Sequence, residues 1–420
     1  MTETLRKGWC PGALAPMLSG DGYIFRLRLT NGILSFERAK IFADLARRFG
    51  NGAFDLSARA NLQMRGVPGE KIEALQDALR ALGLLDANVR AEAVRNVVPS
   101  PLAGFDPSAP FDARPLVAAL EALLSHEKTL HELPAKFGFS VDGGGRLPLD
   151  GVTTDIAFAA IPDDPTILDL RLGGQFAGVV APENLCAAAE GLARNFLRLR
   201  GPDRRMGALV ERLGLAPLLE GVAAVTPRAS EAGVAGSDPA YEKILGAQRC
   251  GAKSFVGGGL LFGRIEADAL EFLAQQAQTF GAAELRLTPW RAILAVGLEP
   301  AAADQLAARL SVSGFLLDAQ DSRLAFAACP GAPACPSARG DVRAVALALA
   351  PHWSAQGGRI HISGCAKGCA LNVPAMTFVA EGDGYCLVDY GLARETPSAR
   401  GLDLAAMQAR LISLAQGTRA

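Results

Sequence analysis

The sequence predicts an α+β chain assembled as a doubled pair of modules. Three observations predict it: a β-α-β-β unit that occurs twice, a longer α/β stretch after each copy, and a low-complexity segment between the halves. In the first copy, Tyr23, Phe25, Leu27 and Leu29 alternate with Ile24, Arg26 and Arg28, the period of a half-buried strand. Ser35 is placed to cap the next helix, which carries Ile41, Phe42, Leu45 and Phe49 on one face and stops at Gly50. A short strand around Phe54–Leu56 leads through Ser57-Ala58-Arg59-Ala60-Asn61-Leu62 into a strand ending at Val67.

The same order returns later. Leu260–Ile265 reads as a strand and Glu266–Phe280 as a helix with Leu270, Leu273, Ala277 and Phe280 inward; Glu284–Leu287 is a strand before Thr288-Pro289-Trp290-Arg291-Ala292. Phe49-Gly50 matches Phe280-Gly281, and Arg59-Ala60 matches Arg291-Ala292 with one extra residue between. Each unit is too small for its own core, so the two are expected to pack as a pseudo-twofold pair. The domains expected are residues 1–75 and 240–312 for the repeated units, 85–225 and 318–420 for the α/β domains, and 226–239, rich in Ala, Ser, Gly and Pro, for the linker.

Composition narrows the function. Half the residues are hydrophobic and 20% charged, as in a soluble globular enzyme, and no apolar run reaches membrane-span length. No hydrophobic stretch follows Arg6 and Lys7, so no secretory signal is read and a cytoplasmic protein is expected. A formal net charge of −1 lacks the basic excess of a nucleic-acid binder. Of 42 basic residues only 8 are lysine; the arginine bias fits either a polyanionic ligand or the Ala-, Gly- and Arg-rich composition.

Four of the 8 cysteines fall in a 41-residue window, as Cys329-Pro-Gly-Ala-Pro-Ala-Cys335 and Cys365-Ala-Lys-Gly-Cys369. Structural zinc favours two-residue knuckles, whereas four soft thiolates in glycine-rich loops suit a [4Fe–4S] cubane. Cys10, Cys186, Cys250 and Cys386 show no such pairing, and Pro11 and Gly12 put Cys10 in a loop.

At these cysteines the sequence resembles the sulfite and nitrite reductase superfamily, and the likeness covers nearly the whole chain. The resemblance implies a sulfite/nitrite reductase-like fold, with two pseudo-symmetric ferredoxin-like halves each followed by a larger α/β domain, and a cluster held by Cys329, Cys335, Cys365 and Cys369. Arg59 in Ser-Ala-Arg-Ala-Asn-Leu-Gln, Arg95 in Val-Arg-Asn-Val-Val and Lys136 in Leu-Pro-Ala-Lys-Phe-Gly-Phe match the family's anion-binding cations, which makes them the catalytic candidates. Gly138 stands where the family has a second lysine. Gly8-Trp9-Cys10-Pro11-Gly12 with Ala15-Pro16-Met17, Gly20-Asp21-Gly22, Leu133–Phe139 and Leu287-Thr288-Pro289-Trp290-Arg291 look instead like the aerobic cobalamin-pathway branch, the precorrin-3B synthases. That resemblance implies a monooxygenase hydroxylating precorrin-3A at C20 with γ-lactone formation, a [4Fe–4S] cluster, an additional non-haem iron, O2 and NADH-derived electrons.

A tetrapyrrole bearing many carboxylates requires a wide pocket rimmed by cations. Arg26, Arg28, Arg65 and Arg291 are the substrate-binding candidates, with Arg264 and Arg286 also near strand ends. Four-thiolate iron is coordinatively full, so oxygen needs another iron, yet the chain has only His126, His131, His352 and His361 for the common two-histidine site, and its ligands are not legible. Gly143-Gly-Gly and Gly257-Gly-Gly lack the dinucleotide fingerprint and read as turns, so a separate electron-donor protein is expected. A sirohaem-dependent sulfite or nitrite reductase is the alternative, and a non-catalytic tetrapyrrole- or cluster-binding protein a third reading.

Overall fold

The structure, a computed structural model, describes residues 10–162, 164–226, 228 and 241–417. Of the expected linker, only Thr226 and Arg228 fall among these. Within the described residues the chain forms four five-stranded sheets, two in the repeated units and two in the α/β domains.

The repeated units are more entangled than tandem copies. In the first, Gly22–Leu27, Leu62–Val67 and Ala53–Leu56 lie side by side, and the sheet is completed by Arg264–Glu266 from the second unit. In the second, Lys253–Gly259, Ala292–Leu298 and Glu284–Leu287 repeat that order, completed by Ile33–Leu34 from the first. The exchange is reciprocal. Helices Phe36–Phe49 and Ala267–Thr279 pack on each other over one continuous core containing Phe25, Phe42, Leu270 and Leu285. Ser35 caps the first helix by accepting from the Arg38 amide at 3.2 Å, as its sequence position predicts.

Two readings of the second copy need correction. The strand equivalent to Gly22–Leu27 is Lys253–Gly259, and Leu260–Ile265 is instead a tight turn entering the exchanged strand. The turns match: Asn31 at φ 59° and Phe262 at φ 54° occupy the same left-handed position. Gly257–Gly259 is therefore not a turn but the last three residues of the strand Lys253–Gly259. A Cβ on Gly257 would meet the Ile244 carbonyl oxygen at 1.8 Å, so glycine lets neighbouring backbone press on the sheet.

The α/β domains share one plan. Val97–Pro99, Phe139–Asp142 and Ile156–Ile161 run parallel, followed by antiparallel strands Asp164–Leu172 and Gln175–Val180. Phe326–Ala328, Ile360–Ser363 and Ala375–Glu381 repeat the parallel trio, with Gly384–Gly391 and Ala399–Leu402 antiparallel. Each domain buries its own core. No helix among the described residues is long and apolar enough to cross a membrane.

Candidate functional site

The four modules meet around a cavity of about 890 Å³. Ala58 and Arg59 reach it from the first repeated unit and Pro289 and Trp290 from the second; Lys136, Thr153 and Arg205 come from the first α/β domain, and residues 366–368 and 371–373 with Arg394 from the second. A second cavity of about 430 Å³, holding Arg291 and Arg359, shares the Trp290, Leu371 and Asn372 walls. Together they are large for a small-molecule site. Among the described residues lining the larger cavity are five cations, Arg59, Lys136, Arg205, Lys367 and Arg394, and no carboxylate.

The two turns at the cavity floor are the pseudo-twofold equivalents. The Ser57 amide donates to the Asn61 carbonyl at 2.9 Å, and the Thr288 amide to the Ala292 carbonyl at 3.2 Å. Ala60 and Arg291 share the left-handed conformation, at φ 53° and 59°. Ser57 thus pairs with Thr288, Arg59 with Trp290 and Ala60 with Arg291, without the extra residue inferred from sequence. An arginine held at positive φ is strained backbone of the kind found at functional sites. Burial lowers the pKa of Arg291, with Arg359 and Arg343 close by, and its guanidinium donates to the Ala370 carbonyl at 2.9 Å.

Arg59 donates to the Lys136 carbonyl at 2.6 Å and lies 3.8 Å from Cys10 Sγ. Burial would raise the Cys10 pKa, but Arg26, Arg59 and Lys136 together bring it below the ordinary thiol value. Behind Cys10, Arg26 is 8% exposed, and its Nε and Nη1 have no hydrogen-bond partner among the described residues. Arg28, paired with Glu92 at 3.6 Å, is pulled down to about 10 by burial and by Arg26.

Other sequence candidates stand elsewhere. Arg95 does not line the large cavity; it is held by Asp86 at 2.8 Å and Glu121 at 3.3 Å beside a separate cleft. Arg65 bonds Asp21 and Asp55 and donates to the Ala334 carbonyl at 3.0 Å, so it braces the loop before Cys335. Arg286 is fully buried against Glu284 and the Ala103 carbonyl, and Arg264 pairs with Glu266. Lys367, Arg205 and Arg394 were missed. Lys367 was within reach, since it lies between Cys365 and Cys369; only tertiary folding brings Arg205 and Arg394 to the site.

The four cysteines of the window lie on two adjoining loops, and none is in a disulfide. The Arg339 amide donates to the Gly364 carbonyl at 2.9 Å, and Lys367 Nζ to Ser337 Oγ at 2.8 Å, which ties the loops together. Cys329 Sγ accepts from the Gly364 amide at 3.3 Å. Burial raises the Cys329 thiol, and the neighbouring Cys335 and Cys365 add to this. A Cβ at Gly364 would come within 2.6 Å of Ala338 Cβ, so this crossing requires glycine. Cys369 is exposed. Among the described residues no three His, Cys, Asp or Glu side chains converge as they would on one ion. A cubane needs something else, one thiolate at each corner of a bulky cage, and two linked glycine-rich loops carrying four cysteines outside any disulfide fit that demand. Among the described residues no set fits the additional iron. His126 and His131 bond the Ala122 and Ser125 carbonyls, and His361, 1% exposed, is in the strand core ahead of Cys365.

Comparison with known proteins agrees with this architecture. Residues 15–82 and 247–312 match the nitrite/sulfite reductase ferredoxin-like half domain, and 90–229 the nitrite and sulphite reductase 4Fe-4S domain. The last match falls on the first α/β domain, whereas the four clustered cysteines lie in the second. The chain belongs to the nitrite and sulfite reductase superfamily of oxidoreductases. It is 33% identical to a precorrin-3B synthase of Sinorhizobium sp over 412 residues, 94% of this chain and 85% of that one, and it belongs to that family. It is 28% identical to a ferredoxin–nitrite reductase of Synechococcus elongatus, over 83% of this chain and 74% of the relative. The Mycobacterium tuberculosis NirA protein shares the fold at a TM-score of 0.73 and 20% identity, over 88% of this chain and 75% of that one.

Proposed function

We propose that the protein is a precorrin-3B synthase-like monooxygenase of cobalamin biosynthesis, hydroxylating precorrin-3A at C20 with closure of a γ-lactone. The observation that carries the reading is the cavity: wide, walled by all four modules, lined by five cations without a carboxylate among its described residues, and bordered by the loop of Cys365 and Cys369. A polycarboxylate macrocycle is the ligand such a wall selects, because desolvated arginine–carboxylate pairs are strong and directional.

Cys329, Cys335, Cys365 and Cys369 would hold a [4Fe–4S] cluster, which supplies single electrons when bound. Arg59, Lys136, Arg205 and Arg394 would grip carboxylates around the rim, while Trp290 presents an apolar face to the ring. Arg59 is fixed by the Lys136 carbonyl, so its charge is held in place before a ligand enters. Arg291 and Arg359 would reach acids on the opposite edge. O2 supplies the inserted oxygen atom, and NADH is the ultimate electron source through a separate donor protein. An additional non-haem iron has no ligand set among the described residues, and no step is assigned to it.

Purification under exclusion of oxygen tests this. Expected are a broad brown shoulder, iron and sulfide near four each per chain, and conversion of precorrin-3A with O2 and reductant. Strong sirohaem bands in the protein as isolated, with sulfite- or nitrite-dependent turnover, would establish the reductase alternative instead.

A further inference from the structure

Lys367 belongs to two environments at once. It stands between Cys365 and Cys369, and its ammonium donates to Ser337 Oγ at 2.8 Å, two residues beyond Cys335. The same side chain lines the large cavity with Arg59, Arg205 and Arg394. The described contacts give it a hydroxyl and no carboxylate. A cluster bound by four thiolates is an anion, and an added electron makes it more so; a fixed cation at its loops favours the reduced form. A polycarboxylate entering the cavity works the other way. The ammonium of Lys367 stands between the cysteine loops and the cavity.

We propose that Lys367 is a positioning residue linking cavity and cluster: its charge keeps the cluster reducible while an anionic tetrapyrrole occupies the cavity. The proposal rests on the cluster and tetrapyrrole reading given above. Its redox step is the transfer of one electron from an external one-electron reductant to the cluster, with no covalent bond made or broken and no proton taken up.

The test is an EPR-monitored potentiometric titration of the holoenzyme with dithionite, with and without uroporphyrin as an octacarboxylate probe. Lys367→Met should retain full iron and sulfide, yet its reduction should be at least tenfold less favourable, about 59 mV lower for one electron. Lys367→Arg should stay near the wild type. Ser337→Ala, which removes the hydrogen bond but keeps the charge, should change the reduction constant less than threefold. Uroporphyrin should lower the potential of Lys367→Met further than that of the wild type. An unshifted Lys367→Met potential overturns the proposal, and so does an identical porphyrin response in both proteins.

If Lys367→Met assembles no cluster, Lys367→Gln, which removes the charge but keeps a donor for Ser337 Oγ, decides by the same two measurements. A wild type without iron and sulfide, or one that fails to bind uroporphyrin by fluorescence quenching, removes instead the reading on which the proposal rests.

Discussion

The two α/β domains align in register: Val97, Phe139 and Ile156 stand side by side in the first as Phe326, Ile360 and Met376 do in the second. Three residues beyond the start of the first strand, Ser100 occupies the place of Cys329. After the second strand, Gly143 occupies the place of Gly364. The same hydrogen bond joins each pair, from the Gly143 amide to Ser100 Oγ at 2.7 Å and from the Gly364 amide to Cys329 Sγ at 3.3 Å. Where the second domain continues into Cys365, the first closes the loop with Asp142. That carboxylate accepts from Ser100 Oγ at 2.7 Å, the Gly144 amide at 2.9 Å and the Leu149 amide at 2.6 Å. One crossing is locked by a buried acid; the other presents thiols. This loop pair needs acceptors for its inward-facing amides, and two chemistries serve.

Substitutions sharpen the contrast, beginning with the largest effect. Cys365→Ser should abolish cluster assembly, measured as iron and sulfide per chain, with the fold retained by circular dichroism; unchanged iron would break the ligand assignment. Asp142→Ala should leave iron per folded chain unchanged but cost about 3 kcal/mol of stability in denaturant unfolding, because buried donors lose their acceptor. Two arginines offered by the sequence as equals should separate. Arg95→Ala, by orphaning Asp86 and Glu121, should cost about 3 kcal/mol of stability and leave kcat/KM within about threefold. Arg59→Ala should lower kcat/KM about thirtyfold, roughly 2 kcal/mol, with little change in unfolding midpoint. Equal kinetic losses for the two would put Arg95 back in the site. The smallest effect is at Cys10. A depressed thiol pKa means that thiolate persists to lower pH, so iodoacetamide should alkylate Cys10 below the usual thiol range. Arg26→Gln should move that profile towards higher pH, as mass-spectrometric labelling would record.

Much of this was legible in the sequence because it is local. The Ser35 cap, the helix face of Phe42 and Leu45, and the spacing of the cysteines are set by neighbours within a few turns. Arg59 and Lys136 sit in motifs and line the cavity. What was not legible is tertiary. Arg95 sits in a motif too, and Arg65 lies on a strand, but their carboxylate partners, such as Asp86 and Asp21, become neighbours only on folding. Gly257–Gly259 looks like a turn until Ile244 packs against it. Arg205 and Arg394 lie in segments without periodicity or motif and acquire meaning only at the junction of the modules.

The reciprocal exchange of edge strands has a consequence for biogenesis. Ile33–Leu34 finds its place beside Glu284–Leu287, and Arg264–Glu266 beside Ala53–Leu56. Neither unit owns a finished sheet, so the amino-terminal half leaves an open hydrogen-bonding edge until a segment some two hundred residues downstream has been translated. Such high contact order slows folding and exposes the nascent half to mispairing. Expressed separately, the halves should be poorly soluble, and co-expressed they should recover one another.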